Sequence, residues 1–210
     1  MKIVVFGATG RTGLPLVQQA LDAGHQVVAF VRDPAKMSMK HDRLTLVQGD
    51  VMNAADVDKA ITPDMNAVIS VLAPVRGTST DMLPIAAENM LTAMKRQGVN
   101  RLIYMTGVGV SMPEDKPDLL YHLINFGLSM MGGDALKKSE MAARKVQSSS
   151  LDWTILRAPM LIDGPHSGQY RVGWVGVNMG PRISRADAAD FLLKQLTDTS
   201  YLRKAPAVSN

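Results

Sequence analysis

The feature that most constrains the fold is a glycine-rich turn, GATGRTG at residues 7–13. It follows a short β-branched run, Lys2–Phe6, which is typical of a buried strand. After the turn, apolar residues recur with helical spacing over Leu14–Ala23, and Gly24 stands where a helix would end. A strand, a tight turn and a helix in this order indicate the first unit of a parallel α/β sheet.

The three glycines of this turn have separate physical roles. Gly7 permits a sharp exit from the strand, Gly10 lets the backbone approach a pyrophosphate, and Gly13 lets the helix pack close to the sheet. The free N–H groups at the helix start then face the phosphates. A glycine turn without a ligand is the alternative, but the strand before it and the helix after it favour a nucleotide.

Strands and helices continue to alternate after this first unit. Strands are predicted at Gln26–Val31, Leu44–Gln48, Ala67–Leu72, Arg101–Met105 and Trp153–Leu156, and helices after the N-cap Asn53, over Pro84–Gln97, over Asp134–Ser148 and near Ala186–Leu196. This order predicts an α/β fold, a Rossmann-type doubly wound parallel sheet with right-handed crossovers. We expect one domain over residues 1–210, with a small C-terminal cap over about residues 164–210 that includes a hairpin-like stretch at Tyr170–Val177.

Composition excludes several other classes of protein. The formal net charge is +4, but the basic residues are scattered among acids, so we expect no nucleic-acid partner. Cysteine is absent and the four His show no ligand spacing, so we expect no metal. The apolar start of the chain is too short for a signal sequence or a membrane span. We therefore expect a cytoplasmic protein without a membrane partner.

The cation after the second strand bears on which dinucleotide binds. Arg32 stands about 20 residues past the turn, where an NAD-selective site has a carboxylate for the ribose 2′-hydroxyl. An arginine there pairs instead with a 2′-phosphate, and Arg11 is a second candidate for the same anion. Asp33 is expected to cap the turn that begins at Pro34. The pattern favours NADP(H), the alternative being that Arg32 is an ordinary exposed loop cation.

Ligands of open α/β sheets bind beyond the carboxyl ends of the strands, near the switch point of the strand order. This rule selects residues after the third, fourth, fifth and sixth strands: Asp50 and Val51 near an adenine, then Leu72, Ala73, Pro74, Thr106 and Pro159. Ordinary loop structure is the alternative for each of them, and for Asp50 a cap beside the next helix.

At these residues the chain resembles the atypical short-chain dehydrogenase/reductases with an NAD(P)H-binding domain, which include NmrA-like proteins and the biliverdin reductase B/flavin reductase group. The matching motifs are GATGRTG (7–13), VRDPAK (31–36), GDV (49–51), AAENMLTAMKRQGVNRLIYMTG (86–107), SSLDWTILRAP (149–159) and ISRADAADFLL (183–193). The resemblance implies that one set of residues contacts the phosphates: Gly7, Thr9, Gly10, Arg11, Thr12, Gly13 and Arg32. It also implies that Asp50 and Val51 flank the adenine.

The chain departs from the Ser and Tyr-x-x-x-Lys set of the broader superfamily. Thr106 is the hydroxyl available after the fifth strand, and Lys138 lies on a helix without the expected Tyr. Lys138 is a candidate for contact with a nicotinamide ribose, or a solvated helix lysine. Tyr121 is a catalytic candidate, or else pocket lining or core, whereas Tyr104 on the fifth strand is expected in the core.

The missing Tyr bears on the reaction. Reduction of a simple ketone needs a proton donor for the forming alkoxide, whereas a flavin, quinone or tetrapyrrole delocalises the charge and accepts its proton from water. We therefore expect an NADPH-dependent oxidoreductase acting on a small conjugated acceptor. An NmrA-like dinucleotide sensor without catalysis is the alternative, and an epimerase, which normally needs the Tyr, is less favoured. The apolar segment Leu119–Met131 is one wall of the acceptor pocket or a buried or partner-facing helix, in a monomer or homodimer.

Overall fold

Strands and helices alternate along most of the chain, and its last part adds short strands around one helix. The computed structural model describes residues 1–74, 79–117 and 119–210, with the side chains of the fourth helix described from Gly133 onward. The strands are β1 (Lys2–Phe6), β2 (Gln26–Val31), β3 (Leu44–Gln48), β4 (Ala67–Ser70), β5 (Arg101–Gly107), β6 (Asp152–Ala158), β7 (Met160–Ile162), β8 (Arg171–Gly173), β9 (Arg182–Ser184) and β10 (Ala207–Ser209). The helices are α1 (Gly13–Asp22), α2 (Ala54–Ala60), α3 (Met82–Gln97), α4 (Leu119–Gln147) and α5 (Arg185–Lys194), and a short 3₁₀ turn spans Pro34–Lys36.

The main sheet has eight strands in the order β3-β2-β1-β4-β5-β6-β10-β8. All neighbouring pairs are parallel except β8, which runs antiparallel to β10. The first six strands follow the order of the doubly wound dinucleotide-binding fold, whose switch point lies between β1 and β4. The fold class predicted from the sequence is confirmed.

Each face of the sheet has its own hydrophobic core, because strands buried on both faces alternate between two layers of helices. Val4 and Phe6 of β1 pack in the core shared with α2, α3 and α4. Ile3 and Val5 pack in the other core, with α1 and α5. The carboxyl ends of β1, β4, β5 and β6 therefore meet at one edge between these layers, which is where the site is expected.

The long helix α4 begins earlier than expected. The sequence predicted a helix from Asp134, but the helical backbone starts at Leu119 and continues through Gly133 to Gln147. Each glycine in a helix costs about 1 kcal/mol relative to alanine. Packing of α4 against α3 offsets that cost, since tertiary contacts rather than propensity supply most helix stability. By contrast, α3 ends as predicted at Gly98, which has a left-handed φ of 71°.

The C-terminal region extends the sheet as well as covering it. The sequence predicted a cap that included the hairpin-like stretch Tyr170–Val177. A bridge between Trp174 and Val177 and the nearby β8 reproduce that stretch. However, β8 and β10 lie inside the eight-stranded sheet, and β7 and β9 pair separately. Three-residue strands have no periodicity that could have revealed this arrangement in advance.

Candidate cofactor and substrate site

The glycine turn is built around the carbonyl of Gly7, the first residue after β1. Gly7 has φ of +84°, and a Cβ there would lie 3.0 Å from the backbone of Val71. The Gly7 carbonyl accepts a hydrogen bond from the Gly10 N–H at 2.9 Å. A Cβ on Gly13 would lie 2.0 Å from the same carbonyl oxygen. The first turn of α1 therefore packs directly on the strand exit, as the glycine spacing predicted.

The start of α1 has no side-chain cap within the described residues. Thr12 is the N-cap residue and is buried, but its hydroxyl makes no capping hydrogen bond. Gly10 and Arg11 are exposed, and Thr9 is half-buried in the same turn. Uncapped N–H groups and the positive end of the helix dipole form an anion site. The geometry fits a pyrophosphate at this turn.

Arg32 lies just beyond β2 with its side chain exposed. Its backbone carbonyl accepts a hydrogen bond from Gln48 Nε2, and within the described residues its guanidinium has no carboxylate partner. Asp33 is not such a partner, because its carboxylate accepts from the Ala35 N–H at 3.1 Å. Asp33 therefore caps the following turn, as predicted. Arg32 is thus available to an external anion.

Arg11 is held by a contact that the sequence does not indicate. Its guanidinium forms an ion pair with Asp163, which also pairs with Arg185 at 2.7 Å. Hydrogen bonding to Arg11 lowers the pKa of the Asp163 carboxyl. Arg11 and Asp163 are both largely exposed, so the pair is weak and screened by salt.

Asp50 and Val51, in the turn after β3, differ in their exposure and in their contacts. Asp50 is exposed, and its Oδ1 accepts from the Met52 N–H at 2.9 Å, so it stabilises the turn before α2. Val51 is buried, and its carbonyl accepts from Asn89 Nδ2. Gly49 contacts the Phe30 ring closely enough that a Cβ would lie 2.7 Å away. The cap alternative for Asp50 is thus supported by geometry, while its role beside an adenine stays a prediction.

A cleft at the carboxyl ends of β4, β5 and β6 is lined by five of the residues that the sequence predicted for the site. It is lined by Leu72, Ala73, Pro74, Thr106 and Pro159, together with Leu83, Tyr104, Met105, Gly107, Ser139, Ala158 and Leu161. Its empty volume is about 490 Å³, a figure that includes open solvent at the mouth of the cleft. Among the residues that the structure describes, the lining contains no ionisable acid–base pair of the His, Lys or carboxylate type.

Lys138, a second catalytic candidate, does not join Thr106 in that lining. Lys138 on α4 forms an ion pair with Asp81, with 2.5 Å between Nζ and Oδ1, and this hydrogen bond raises the pKa of Lys138. The neighbouring Ser139 lines the cleft instead. The side chain of Tyr121, like the predicted apolar wall at 119–131, lies outside the described residues. The structure therefore places Thr106 at the cleft and Lys138 outside its lining, and the role of Tyr121 stays a prediction.

Sequence reasoning missed a buried ion pair that holds the loop after β5. Arg157 on β6 is fully buried and makes two 2.7 Å contacts to the carboxylate of Asp115. It also donates to the carbonyls of Ala205 and Val110, at 2.6 Å each. The N–H of Val175 donates to Asp115 as well. We call this arrangement the Arg157–Asp115 clasp.

Burial alone would raise the pKa of Asp115, but hydrogen bonds from Arg157 and the Met112 N–H outweigh it and lower that pKa. The pair is therefore ionised at neutral pH, and the clasp fixes the loop at 108–117 against β6 and the C-terminal region. A charged residue inside an apolar strand was the one signal for it in the sequence, and its partner could not be read from spacing.

Two further findings concern the described residues alone. No group of three His, Asp or Glu side chains converges there in a way that could hold a metal ion. No helix in that part of the chain combines the length and the hydropathy that a membrane crossing requires.

Known proteins share this arrangement of turn and sheet. The sequence model of a family described as NAD(P)H-binding matches residues 7–199. The chain belongs to this family. The NAD(P)H-binding domain that the motifs indicated is thereby confirmed.

Relatives of this family member differ in how much of their length it spans. An uncharacterised chloroplast protein of Arabidopsis thaliana is 30% identical over 178 residues, which are 80% of this chain and 61% of that protein. The YwnB protein of Bacillus subtilis is 26% identical over 203 residues, or 93% of this chain and 92% of that protein. A 3-beta-hydroxysteroid dehydrogenase of Mycolicibacterium neoaurum is 29% identical over 122 residues, but this is 33% of its length.

Solved structures share the whole fold at low identity. The oxidoreductase YlbE of Lactococcus lactis has a TM-score of 0.82 at 20% identity, covering 100% of this chain and 91% of that one. ChuY of Escherichia coli O157:H7, an anaerobilin reductase, has a TM-score of 0.78 at 21% identity, covering 100% and 97%. A short-chain dehydrogenase/reductase of Veillonella parvula in complex with NADP has a TM-score of 0.78 at 19% identity, covering 100% and 94%.

Proposed function

We propose that this chain is an NADPH-dependent oxidoreductase that reduces a small conjugated acceptor such as a flavin or a quinone. The observation that carries the proposal is that the glycine turn and an apolar cleft lie next to each other at one edge of the sheet. The glycine turn, where Gly13 leaves no space for a side chain, fits a pyrophosphate. The apolar cleft beside it, at the ends of β4, β5 and β6, fits a flat ring.

The phosphate-binding set is proposed from the turn and the loop after β2. Gly7, Thr9, Gly10, Thr12 and Gly13 would hold the pyrophosphate through backbone and hydroxyl groups. Arg32, with Arg11, would hold a 2′-phosphate, because both residues are exposed, Arg11 is part of the turn, and Arg32 follows the strand that pairs with β1. Asp50 and Val51 would border the adenine, and the cleft residues Leu72, Ala73, Pro74, Thr106 and Pro159 the nicotinamide end.

The nature of the acceptor follows from what the cleft lining offers. When bound, NADPH supplies a hydride to the acceptor. The described part of the lining holds hydroxyls and apolar groups, and it has no His, Lys or carboxylate to deliver a proton. An acceptor that delocalises the added charge takes its proton from water, so the protein's task is to orient two rings and exclude competing reactions.

Turnover separates an enzyme from an NmrA-like sensor. Purified protein is mixed with NADPH and, in turn, FMN, dichloroindophenol and menadione, while absorbance at 340 nm is followed with protein-free controls. Acceptor-dependent NADPH oxidation supports the proposal. Tight NADP(H) binding without oxidation of NADPH by any acceptor would support the sensor. The small-molecule partner and a monomeric or homodimeric state are proposed with the reductase, and sedimentation measures the latter.

The preference for NADPH over NADH is tested with Arg32→Glu. An arginine–phosphate pair contributes about 1.5–3 kcal/mol, so we expect the Kd for NADPH to rise by about 10- to 150-fold and the Kd for NADH to change little. Lys40→Glu, which alters an exposed cation on the same connection, is the matched control. Equal losses for both cofactors in Arg32→Glu would contradict the assignment.

A further inference from the structure

Tyr104 combines burial in the core with a position on the cleft. The side chain is 2% exposed and packs with residues of α3 and α4 in the core on that side of the sheet. It nevertheless lines the cleft. The sequence predicted core and the structure confirms it, but burial leaves the phenol hydroxyl to be accounted for.

The Tyr104 hydroxyl has no hydrogen-bond partner among the described residues. The fully enclosed side-chain oxygens that lack a partner there belong to Asp58, Ser70 and Gln195, and Tyr104 is not one of them. Its oxygen therefore keeps some accessible surface. Because Tyr104 lines the cleft, we take the cleft as the opening that its hydroxyl faces. A buried tyrosine usually satisfies its hydroxyl, so this one is suited to a partner that arrives with the ligand.

A second hydroxyl accompanies it on the same strand. Thr106 lies two residues further along β5, so its side chain is on the same face of the sheet as Tyr104. The Thr106 hydroxyl also has no partner within the described part of the chain. The Ser139 hydroxyl, by contrast, donates to the Ala135 carbonyl at 2.9 Å. The cleft thus offers two open hydroxyls on one face within an otherwise apolar lining.

We propose that the Tyr104 hydroxyl donates a hydrogen bond to a carbonyl oxygen on the flat ring that occupies the cleft, with Thr106 as a second contact. This inference rests on the proposed function and specifies its ligand chemistry: a planar ring that carries a carbonyl group. The oxygen belongs to a quinone or flavin acceptor, or to the carboxamide of the nicotinamide. Burial raises the pKa of Tyr104, so the phenol stays protonated and remains a donor at neutral and alkaline pH.

The test compares wild-type protein with Tyr104→Phe, which removes the hydroxyl and keeps the ring. Tyr201→Phe, on a tyrosine outside the cleft lining, is the matched control. Isothermal titration measures the Kd of menadione and of 2-methylnaphthalene, which has the same two rings without carbonyls. It also measures NADP⁺ and 2′,5′-ADP, which lacks the nicotinamide. One neutral hydrogen bond corresponds to about a 3- to 12-fold change in Kd.

If the acceptor supplies the carbonyl, Tyr104→Phe raises the Kd of menadione by that factor and leaves 2-methylnaphthalene unchanged. If the carboxamide supplies it, NADP⁺ weakens while 2′,5′-ADP does not. Unchanged Kd values for menadione and NADP⁺ overturn the inference. Should Tyr104→Phe not fold, equal wild-type affinity for menadione and 2-methylnaphthalene, together with no gain of NADP⁺ over 2′,5′-ADP, overturns it as well.

The role of Tyr104 is tested by ligand binding and the proposed function by NADPH oxidation, so the two can fail separately. Absence of NADPH oxidation contradicts the reductase, and the binding comparison still decides the role of Tyr104. Turnover by wild-type protein with unchanged constants in Tyr104→Phe supports the reductase and contradicts the inference.

Discussion

The glycine turn after β1 and the loop after β5 are held in place by different kinds of contact. On the glycine-turn side, neighbours in sequence touch through backbone atoms, as Gly13 does with the carbonyl of Gly7. On the loop side, Arg157 and Asp115 meet through charged side chains from β6 and the loop after β5. The first kind of contact follows from local spacing and the second from the assembled sheet. Substitutions in the glycine turn and at the Arg157–Asp115 clasp should therefore differ in their effects on stability and on cofactor binding.

The largest effect is expected at the Arg157–Asp115 clasp. Asp115→Asn leaves the buried Arg157 guanidinium without its counter-charge, and breaking a buried pair on one side costs about 3–5 kcal/mol. Urea unfolding measures the loss of unfolding free energy, with Glu114→Gln on the exposed neighbouring carboxylate as the control. A loss below about 1 kcal/mol would show that water or other groups solvate Arg157 and that the clasp does not hold the loop.

On the glycine-turn side, Gly13→Ala should destabilise by about 3 kcal/mol, because its Cβ meets backbone atoms that cannot move without shifting α1 from the sheet. Gly10→Ala is the matched control, since the nearest atom to its Cβ is 3.1 Å away. We expect Gly10→Ala to fold and to bind NADP⁺ more weakly. Similar unfolding free energies for the two variants would contradict the expectation that a Cβ is tolerated at position 10 but not at position 13.

The pH dependence of stability tests a carboxylate of the C-terminal region, Asp187. Burial alone would raise the pKa of Asp187, but hydrogen bonds from Asn210, Gly168 and Ser167 outweigh it and lower the pKa to about 2. A lowered pKa stabilises the fold above the unfolded value of 3.8, and this stabilisation disappears as the pH falls through about 2. Asp187→Asn should remove about 2 kcal/mol of pH dependence between pH 4 and 2.

Unfolding free energies measured at each pH test this expectation. The exposed Asp42 provides the control variant, Asp42→Asn. A pH dependence that persists unchanged in Asp187→Asn would assign the acid sensitivity to other carboxylates.

The smallest effect is expected at the ion pair between Arg11 of the glycine turn and Asp163, which follows β7. Asp163→Asn releases Arg11 of the glycine turn, and because the pair is exposed we expect a stability change within about 0.5 kcal/mol. The Kd for NADPH should fall two- to fivefold at low salt, since a negative charge beside the anionic cofactor is lost. The effect should vanish near 1 M salt, where the Debye length is about 3 Å.

Fluorescence titration at both salt concentrations measures that change. Asp22→Asn, at the far end of α1, is the matched control. A salt-independent gain, or weaker binding, would contradict an electrostatic competition for Arg11.

The sequence was sufficient where local rules decide the structure. The bounds of β1, β2 and β3 are as predicted, because each is a short apolar run followed by a turn residue. The turn geometry and the cap at Asp33 also follow from neighbours along the chain. The convergence of Leu72, Thr106 and Pro159 was predicted as well, since parallel strands bring their carboxyl ends to one edge.

What the sequence did not predict depends on distant parts of the chain. Lys138 was a ribose candidate, but its position is governed by Asp81, which lies 57 positions away. The three-residue strands β7, β9 and β10 form because neighbouring strands offer hydrogen-bond partners, which no local pattern encodes. The open hydroxyl of Tyr104 could not be inferred either, because a strand tyrosine gives no sign of whether its oxygen is paired.

The contact between Gly13 and the Gly7 carbonyl also bears on how such a sequence can change over generations. Because that contact is internal to the apoprotein, a lineage that stopped using a dinucleotide would still need glycine at position 13 to fold. The exposed Arg32 carries no comparable obligation and would be free to drift. At the buried position 104 the core needs the ring but not the hydroxyl, so phenylalanine could replace tyrosine there. The glycine motif is therefore a record of ancestry and architecture, and a survey of related chains for retained activity should compare positions 10, 32 and 104.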